Sequence, residues 1–123
     1  MTPPSKALKK KPWTSKKADQ EFSKFIRERD KRCVNCGRTT NLTCSHFWNR
    51  NISSLRYDPR NCDTLCWLPC HATWEKQKQG KYMEMKQKQL GQKVYDELRK
   101  LAFQSRMNRR EAILGLMKLL GVE

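Results

Sequence analysis

The sequence predicts a small α+β protein in which metal-binding cysteines brace a short β-hairpin, with a helix before this core and further helices after it. All six cysteines and both histidines lie between residues 33 and 71. That stretch has no long amphipathic pattern, whereas the segments on either side repeat apolar residues at helical spacing. A chain of 123 residues builds only a small core, which a bound metal ion would help to stabilise.

We expect the chain to form one domain with three parts. These are a disordered basic arm at 1–17, a zinc-braced core at 18–90 and a C-terminal helical extension at 91–123. The arm is rich in lysine, contains prolines that disfavour regular structure and has few apolar anchors.

The first helix is predicted from about Ser15 to Lys31, because Phe22 and Ile26 recur at helical spacing on its apolar face. The cysteine-rich stretch after it is predicted to form a loop, a short β-hairpin, another loop and the start of a helix. The first strand of the hairpin is expected near Leu42–Phe47.

The remainder of the chain is expected to be helical. One helix is predicted from Trp74 to Leu90, and an interruption of it at Gly80 is left open. Gly91 is predicted to end this helix, because glycine tolerates the left-handed conformation that follows many helices. Another helix is predicted at 92–103, where apolar residues again recur at helical spacing.

Asn108 and Glu111 have the spacing of a helix N-cap and its reciprocal acid. They would open a final helix that is apolar over a wide arc. We expect this helix to pack on its own chain, and the alternative is a homodimer formed through the C-terminal helices.

The charge of the chain indicates a polyanionic partner. Lys plus Arg number 27 and Asp plus Glu number 12, so the formal net charge is +15. This excess favours nucleic acid, because phosphate contacts from Lys and Arg release condensed counterions. An RNA-binding basic protein is the alternative to a DNA-binding one. The sequence has no apolar run of the ~18 residues that suggest a transmembrane helix and no secretory signal, so we expect a cytoplasmic protein.

The paired spacing of the cysteines predicts a metal site rather than disulfides in a reducing cytoplasm. Cys33 and Cys36 form one pair, and Cys66 and Cys70 form a second pair with one more residue between its members. Four thiolates are a preferred ligand set for a closed, tetrahedral structural zinc. Cys62 with Cys66 is the alternative second pair.

Both histidines flank the second half of this cysteine framework. His46 ends the first predicted strand, two residues after Cys44, which is expected to be a small buried residue. Asn61 stands before the second cysteine pair and His71 directly after it. The order of cysteine pair, His, Asn, cysteine pair and His resembles the HNH nuclease family, whose ββα-metal fold holds a divalent ion between a β-hairpin and a helix.

The resemblance implies phosphodiester hydrolysis with one role for each residue of a catalytic trio. His46 would be the general base, since a neutral imidazole can accept a proton near physiological pH. Asn61 would hold that ring in position through its side-chain amide. His71 would bind a catalytic Mg²⁺ or Mn²⁺ that stabilises charge on the phosphate and on the departing oxygen. Many family members have an acidic metal ligand where this chain has Ser45, which leaves the first ligand of that ion open.

A longer series of motifs is similar to the NinG/Rap family of lambdoid phage recombination nucleases. The motifs are FIRERD at 25–30, SHF at 45–47 and LRYDPRN at 55–61, and the similarity extends over about 20–100. This resemblance implies cleavage of branched DNA such as Holliday junctions or D-loops, in the host cytoplasm if the chain is phage-encoded. The alternative is a zinc-braced DNA-binding module without catalysis, which would not need the trio.

Basic side chains are expected to contact DNA phosphates, and solvated charge without a specific role is the alternative. The candidates are Arg50, Arg56 and Arg60 between the catalytic residues, with Arg56 favoured by the family resemblance, and Lys9, Lys10 and Lys11 in the arm. Three tryptophans surround the trio and are expected to belong to the core rather than to stack on bases. They are Trp48, Trp67 and Trp74.

Overall fold

The structure is a computed structural model that describes residues 11–76, 80–104 and 106–122. It has the predicted α+β composition, with a two-stranded sheet between helices. Two of the predicted DNA-binding lysines, Lys9 and Lys10, lie outside the described residues. No helix in the described ranges is both long and apolar enough to cross a membrane.

Helix α1 (Ser15–Asp30) follows the predicted helix closely and takes in the last three residues of the expected arm. The Thr14 hydroxyl accepts a hydrogen bond of 3.1 Å from the Lys17 amide, which caps the first turn. The helix ends at Lys31, whose φ of 67° is left-handed. Three residues at helical spacing are buried along the inner face: Ala18, Phe22 and Ile26.

The predicted β-hairpin is present and antiparallel. Strand β1 (Leu42–His46) pairs with strand β2 (Cys62–Cys66), so the end of β1 lies opposite the start of β2. The connection between the strands contains a short helix, α2 (Ser53–Arg56), and a single helical turn (Pro59–Asn61). This connection returns the chain to the sheet beside His46.

Side chains alternate along the strands and therefore separate the chemistry of the hairpin onto two faces. Cys44 and His46 share one face, and Ser45 points to the other. After β2 the chain makes an irregular turn (Trp67–His71) and enters helix α3 (Ala72–Lys76). The second strand of the hairpin is thus followed, after one turn, by helix α3.

Two glycines, Gly80 and Gly91, interrupt the helices that follow the hairpin. The helix expected from Trp74 to Leu90 is interrupted, because α3 ends before Gly80 and helix α4 (Lys81–Gln104) begins after it. Gly91 breaks α4 with φ of 80° and ψ of 155°, which are not helical angles. The predicted helix stop at Gly91 is therefore confirmed, and the open question at Gly80 is answered by a break.

Helix α5 (Arg109–Leu119) packs against α1 and α2 of its own chain, as expected. The predicted cap is present: the Asn108 side chain accepts from the Glu111 amide at 2.8 Å, and the Glu111 carboxylate accepts from the Asn108 amide at 3.1 Å. The apolar faces of α1 and α5 meet in one core cluster. Its buried members include Phe22, Ile26, Ile113, Leu116 and Met117.

A second core cluster contains Leu65 of the hairpin and the aromatic side chains of α3 and α4. Phe47 belongs to this cluster and makes edge-to-face contacts with Trp48 and Tyr82. Cys62 of the same strand belongs to the first cluster. The hairpin is therefore held between two separate groups of buried side chains, one built on α1 and the other on α4.

A buried ion pair joins β2 to α4. Lys86 Nζ lies 3.1 Å from Asp63 Oδ2, and both side chains are fully buried. The same ammonium group donates to the Arg60 carbonyl and, at 2.7 Å, to the Gln89 side chain. Burial lowers the pKa of Lys86, and the nearby Asp63 carboxylate opposes that change. These bonds satisfy the three donors of the ammonium group and fix the position of α4 on the sheet.

Candidate functional site

Four cysteines converge at the far end of the hairpin from His46. The sulfur atoms of Cys33, Cys36, Cys66 and Cys70 all lie within 4.8 Å of one another. Such a group of soft donors can hold a metal ion, and it is the ligand set that the sequence predicted. Cys62 lies outside the group, so the alternative pairing of Cys62 with Cys66 is wrong.

Hydrogen bonds already orient two of these sulfurs. The Cys36 amide lies 3.5 Å from the Cys33 sulfur, and the Asn35 side chain donates to the Cys70 sulfur at 3.3 Å. Burial raises the pKa of the Cys33 thiol, but amide donors outweigh it and lower the pKa to about 6. Thiolate is the metal-binding form of cysteine, so this environment suits a metal ligand.

Both predicted catalytic histidines line one cleft of about 470 Å³. His46 reaches it from the end of β1, and His71 reaches it from the turn before α3. Helix α1 forms another wall of the cleft. Polar residues in the walls include Asp19, Ser23, Arg27, Thr43, Asn49 and Arg50.

The protein backbone fixes the tautomer of His46. Its Nε2 atom lies 2.8 Å from the carbonyl oxygen of Arg56. Because a carbonyl can only accept, Nε2 carries the hydrogen of the neutral ring and Nδ1 keeps the lone pair. Burial is the main cause of a pKa near 4 for His46, and the positive charges of Arg50 and Arg56 act in the same direction. The ring is therefore neutral at physiological pH.

Asn61 has a different role from the one expected, since its side chain binds backbone rather than the His46 ring. Its Oδ1 accepts from the Trp48 amide at 2.8 Å, and its Nδ2 donates to the carbonyls of Trp48 and Leu55 at 3.0 and 3.1 Å. The side chain is fully buried. Asn61 thus holds the connecting segment at Leu55. The next residue is Arg56, whose carbonyl orients the His46 ring.

His71 is held by strand β1. Its Nδ1 lies 2.6 Å from the Thr43 hydroxyl, and that hydroxyl donates to the Leu65 carbonyl at 2.7 Å. The single hydroxyl hydrogen is used in the second bond, so Nδ1 of a neutral His71 ring is the donor in the first and Nε2 carries the lone pair. This arrangement leaves the ring with the electronic form that a metal ligand needs.

Ser45, the position at which the resemblance left the first ligand of the catalytic ion open, is almost completely buried. Its hydroxyl lies 3.1 Å from the Tyr82 hydroxyl, which is also 3.2 Å from the Asp63 carboxylate. Asp63, which lies opposite Ser45 in the sheet, is engaged with Lys86. The side chains of Ser45 and Asp63 therefore bind residues of α4 and help to hold that helix on the hairpin.

Arg56 was expected to contact DNA, and the structure contradicts this expectation. Its side chain is only 5% exposed. The guanidinium donates to both carboxylate oxygens of Asp19, at 3.0 and 2.6 Å, and to the Arg50 carbonyl at 3.1 Å. Burial raises the pKa of Asp19, but hydrogen bonds from Arg56 and Tyr57 outweigh it, so the pKa is lowered. Arg56 therefore stabilises the cleft wall instead of reaching a phosphate.

The other predicted basic residues are accessible in different places. Arg50 is 59% exposed, lines the cleft and also lies 2.9 Å from Asp19. Arg60 is 44% exposed, pairs with Asp58 at 2.8 Å and is not among the residues that line the cleft. Lys11 is exposed at the start of the described chain. Of the three predicted arginines, only Arg50 combines exposure with a place at the cleft.

Trp67 is also placed differently from the expectation. Trp74 is buried and Trp48 is half-buried among aromatic rings, as expected for core residues. Trp67, in contrast, is 51% exposed and lines the cleft. Its ring lies edge-on to the His71 ring, with the two centres 5.4 Å apart.

Sequence reasoning missed the contribution of α1 to the cleft. Asp19, Ser23 and Arg27 are spaced by four residues and line the same wall. Their periodicity is visible in the sequence, but the apolar face of the same helix is the stronger signal. Polar residues repeating every four positions beside that face would have indicated a polar wall.

Comparison of the chain with protein-family models, with curated proteins and with solved structures found no match. Function therefore has to be inferred from the residues of the cleft and their chemistry. The cleft combines a neutral imidazole with a fixed lone pair, a second imidazole held by a strand and an exposed arginine. These groups can accept a proton, bind a metal ion and attract an anion.

Proposed function

We propose that the protein is a metal-dependent DNA endonuclease of the HNH type, with branched recombination intermediates such as Holliday junctions or D-loops as its substrates. The observation that carries this proposal is the meeting of His46 and His71 in one cleft. They come from the end of a β-strand and from the turn that leads into the next helix. The four-cysteine group lies at the other end of the hairpin from His46 and would hold a structural zinc that stabilises it.

In this proposal each group of the cleft has a separate task. His46 accepts a proton from the attacking water through Nδ1, because its other nitrogen is committed to the Arg56 carbonyl. His71 would hold Mg²⁺ or Mn²⁺, which supplies charge stabilisation at the phosphate. Mg²⁺ commonly keeps several water ligands and takes others from substrate phosphates, so few protein ligands are needed. Arg50 is placed to bind a phosphate oxygen.

One observation favours the non-catalytic alternative, a zinc-braced DNA-binding module. Within the described ranges, His71 belongs to no group of three or more potential metal ligands. Asp19 is a carboxylate of the cleft, but both of its oxygens accept hydrogen bonds from Arg56. A binding module would require neither a catalytic ion nor the fixed lone pair of His46, so cleavage assays distinguish the two functions.

The deciding experiment is cleavage of a labelled four-way junction and a matched linear duplex, each with Mg²⁺, with Mn²⁺ and with EDTA. The parent chain should cut the junction only with a divalent ion. His46→Ala should lower the rate by at least ~10²-fold without loss of DNA binding, because only the general base is removed. His71→Ala should also be inactive, and higher Mn²⁺ should restore it in part. Gln20→Ala, an exposed change on α1, is the control.

Cleavage by His46→Ala at the parent rate would overturn the nuclease assignment. If the parent chain binds the junction and never cuts it with either ion, the non-catalytic module is the correct function. Circular dichroism of each variant separates loss of chemistry from loss of fold.

The structural zinc is tested separately. We expect about one tightly bound zinc per chain at the four-cysteine group, and loss of the folded state on strong chelation, because small metal-braced domains seldom fold without their ion. Cys33→Ser should unfold the protein, whereas Cys44→Ser, outside the four-cysteine group, should remain folded. Correctly folded protein that contains no metal by elemental analysis would refute this assignment.

A further inference from the structure

A second cluster of metal-binding side chains lies at the end of the hairpin that carries His46. The ligand atoms of Cys44, His46 and Cys62 lie within 4.8 Å of one another. The sheet register explains their proximity: His46 lies opposite Cys62, and Cys44 is two residues before His46 on the same face. The cluster shares no residue with the four-cysteine group at the other end of the strands.

We propose that Cys44, His46 and Cys62 form a second metal site, selective for a thiophilic ion such as Zn²⁺. Two thiolates and one imidazole are soft and borderline donors, which bind Zn²⁺ well and Mg²⁺ poorly. Every pair of these ligand atoms lies within 4.8 Å, which is close to the separation of two ligands on one zinc ion with bonds of about 2.0–2.3 Å.

The hydrogen bond from His46 to the backbone is what a metal-binding histidine needs. Nε2 donates to the Arg56 carbonyl at 2.8 Å, which places the lone pair on Nδ1 and limits rotation of the ring. Metal-ligating histidines usually donate their second nitrogen in this way, to a carbonyl or a carboxylate. The orienting contact therefore exists before an ion binds.

The cleft provides access to the site. Cys44 and His46 both line it, whereas Cys62 is completely buried behind them. Three protein ligands leave one position of a tetrahedral ion for water or another small ligand from the cleft. The four-cysteine group, in contrast, offers four protein ligands and would leave no position open. Only an ion at the second site could therefore exchange a bound water for another ligand.

An ion at this second site would occupy the lone pair of His46. If His46 is the general base, as the proposed function states, a thiophilic ion would inhibit cleavage while Mg²⁺ or Mn²⁺ supports it. This consequence rests on the proposed function, but the metal site itself does not. Binding and inhibition are therefore measured independently.

Binding is tested with Co²⁺ added to the full chain that already holds one equivalent of zinc, in the presence of a non-thiol reductant. We expect a second equivalent of metal with the sulfur-to-cobalt charge-transfer absorption of a thiolate site. Cys44→Ser and His46→Ala should each weaken this binding at least ~10-fold, since losing even an outer-shell partner costs about 10–100-fold. Ser23→Ala, a change in the lining of the same cleft at a side chain that is none of the three ligands, is the matched control and should bind as the parent does.

The proposal is overturned if no second equivalent binds with thiolate absorption, or if Cys44→Ser binds it as tightly as the parent. Cys44→Ser is the principal variant because Cys44 is only half-buried, whereas replacement of Cys62 alters a fully buried position. In the cleavage assay, zinc inhibition should require at least ~10-fold more zinc for Cys44→Ser, relative to the uninhibited rate of that variant. If the parent chain cuts no DNA yet shows the cobalt signal, the metal site is supported and only the nuclease function is refuted.

Discussion

Asn61 acts on the cleft through the backbone around it. Its fully buried side chain makes three hydrogen bonds, all to main-chain atoms of Trp48 and Leu55. These bonds hold the backbone directly before Arg56, which presents its carbonyl to His46. An amide is suited to this position because it offers both a donor and an acceptor, which neither a carboxylate nor an aliphatic side chain does.

Asn61→Ala should therefore destabilise the fold as well as slow any cleavage. Each buried group left without a partner costs about 1–3 kcal/mol, so we expect the free energy of unfolding to fall by roughly 2–4 kcal/mol. Asn61→Asp should also be destabilised, because it faces two backbone carbonyls with a carboxylate. Urea denaturation measures both changes, with the exposed Asn51→Ala as control. An Asn61→Ala protein as stable as the parent would show that the loop does not depend on this side chain.

At the residue scale, the sequence predicted which residue types meet in the cleft better than it predicted their individual contacts. His46 and His71 do line one cleft, and their order along the chain was a sufficient signal. Arg50 and Arg56 look alike in the sequence, yet one is exposed and the other buried. Both pair with Asp19, which lies 37 residues before Arg56, but only Arg56 binds both carboxylate oxygens and is buried against them. An interaction over that distance depends on tertiary packing and leaves no local pattern.

At the scale of elements, the ends of helices were predictable wherever a local chemical signal fixes them. Asn108 and Glu111 form the expected reciprocal cap, and Gly91 breaks α4 with a positive φ. The division between α3 and α4 around Gly80 could only be left open, because a single glycine costs a helix about 1 kcal/mol and packing can outweigh it.

The attachment of α4 to the hairpin was not predictable, since it depends on a buried lysine. Lys86 looks like one of many surface lysines on an amphipathic helix, but it pairs with Asp63 in the interior. Polar side chains on β2 and α4 gave no indication that they would face each other. This pair connects the helix to the strand that ends in the four-cysteine group.

Lys86→Met should destabilise the protein by about 3–5 kcal/mol, because it leaves the Asp63 carboxylate buried without a counter-charge. Combining it with Asp63→Asn should recover part of the loss, since the uncompensated charge is then removed. Thermal and urea unfolding of the zinc-loaded protein measure both effects. Lys88→Met, an exposed change two residues further along α4, is the matched control and should be close to neutral. Equal stability of Lys86→Met and Lys88→Met would contradict a structural role for the buried pair.

The whole molecule combines a small hairpin, held between two core clusters, with a large excess of positive charge. The net charge of +15 is a property of the complete chain, and only part of it can be assigned to the cleft. Arg27 and Arg50 line the cleft, whereas Arg56 is neutralised within its wall and Arg60 is paired elsewhere. Recognition of DNA would therefore combine a few directed contacts with a broad electrostatic attraction.

Salt titration of DNA binding separates these two contributions. The affinity should fall steeply with salt, and the slope of the logarithmic plot should grow by about 0.9 for each phosphate that the protein neutralises. Arg50→Ala should reduce the slope by about that amount, because its exposed guanidinium is at the cleft. Removal of residues 1–11, which keeps the Thr14 cap of α1, should reduce the slope further if the arm lysines bind phosphates.

Arg60→Ala is the control, because Arg60 is an exposed arginine that does not line the cleft. It should change DNA binding at the cleft less than Arg50→Ala does. A salt-independent affinity, or equal effects of Arg50→Ala and Arg60→Ala on binding at the cleft, would show that charge at the cleft does not guide the nucleic acid.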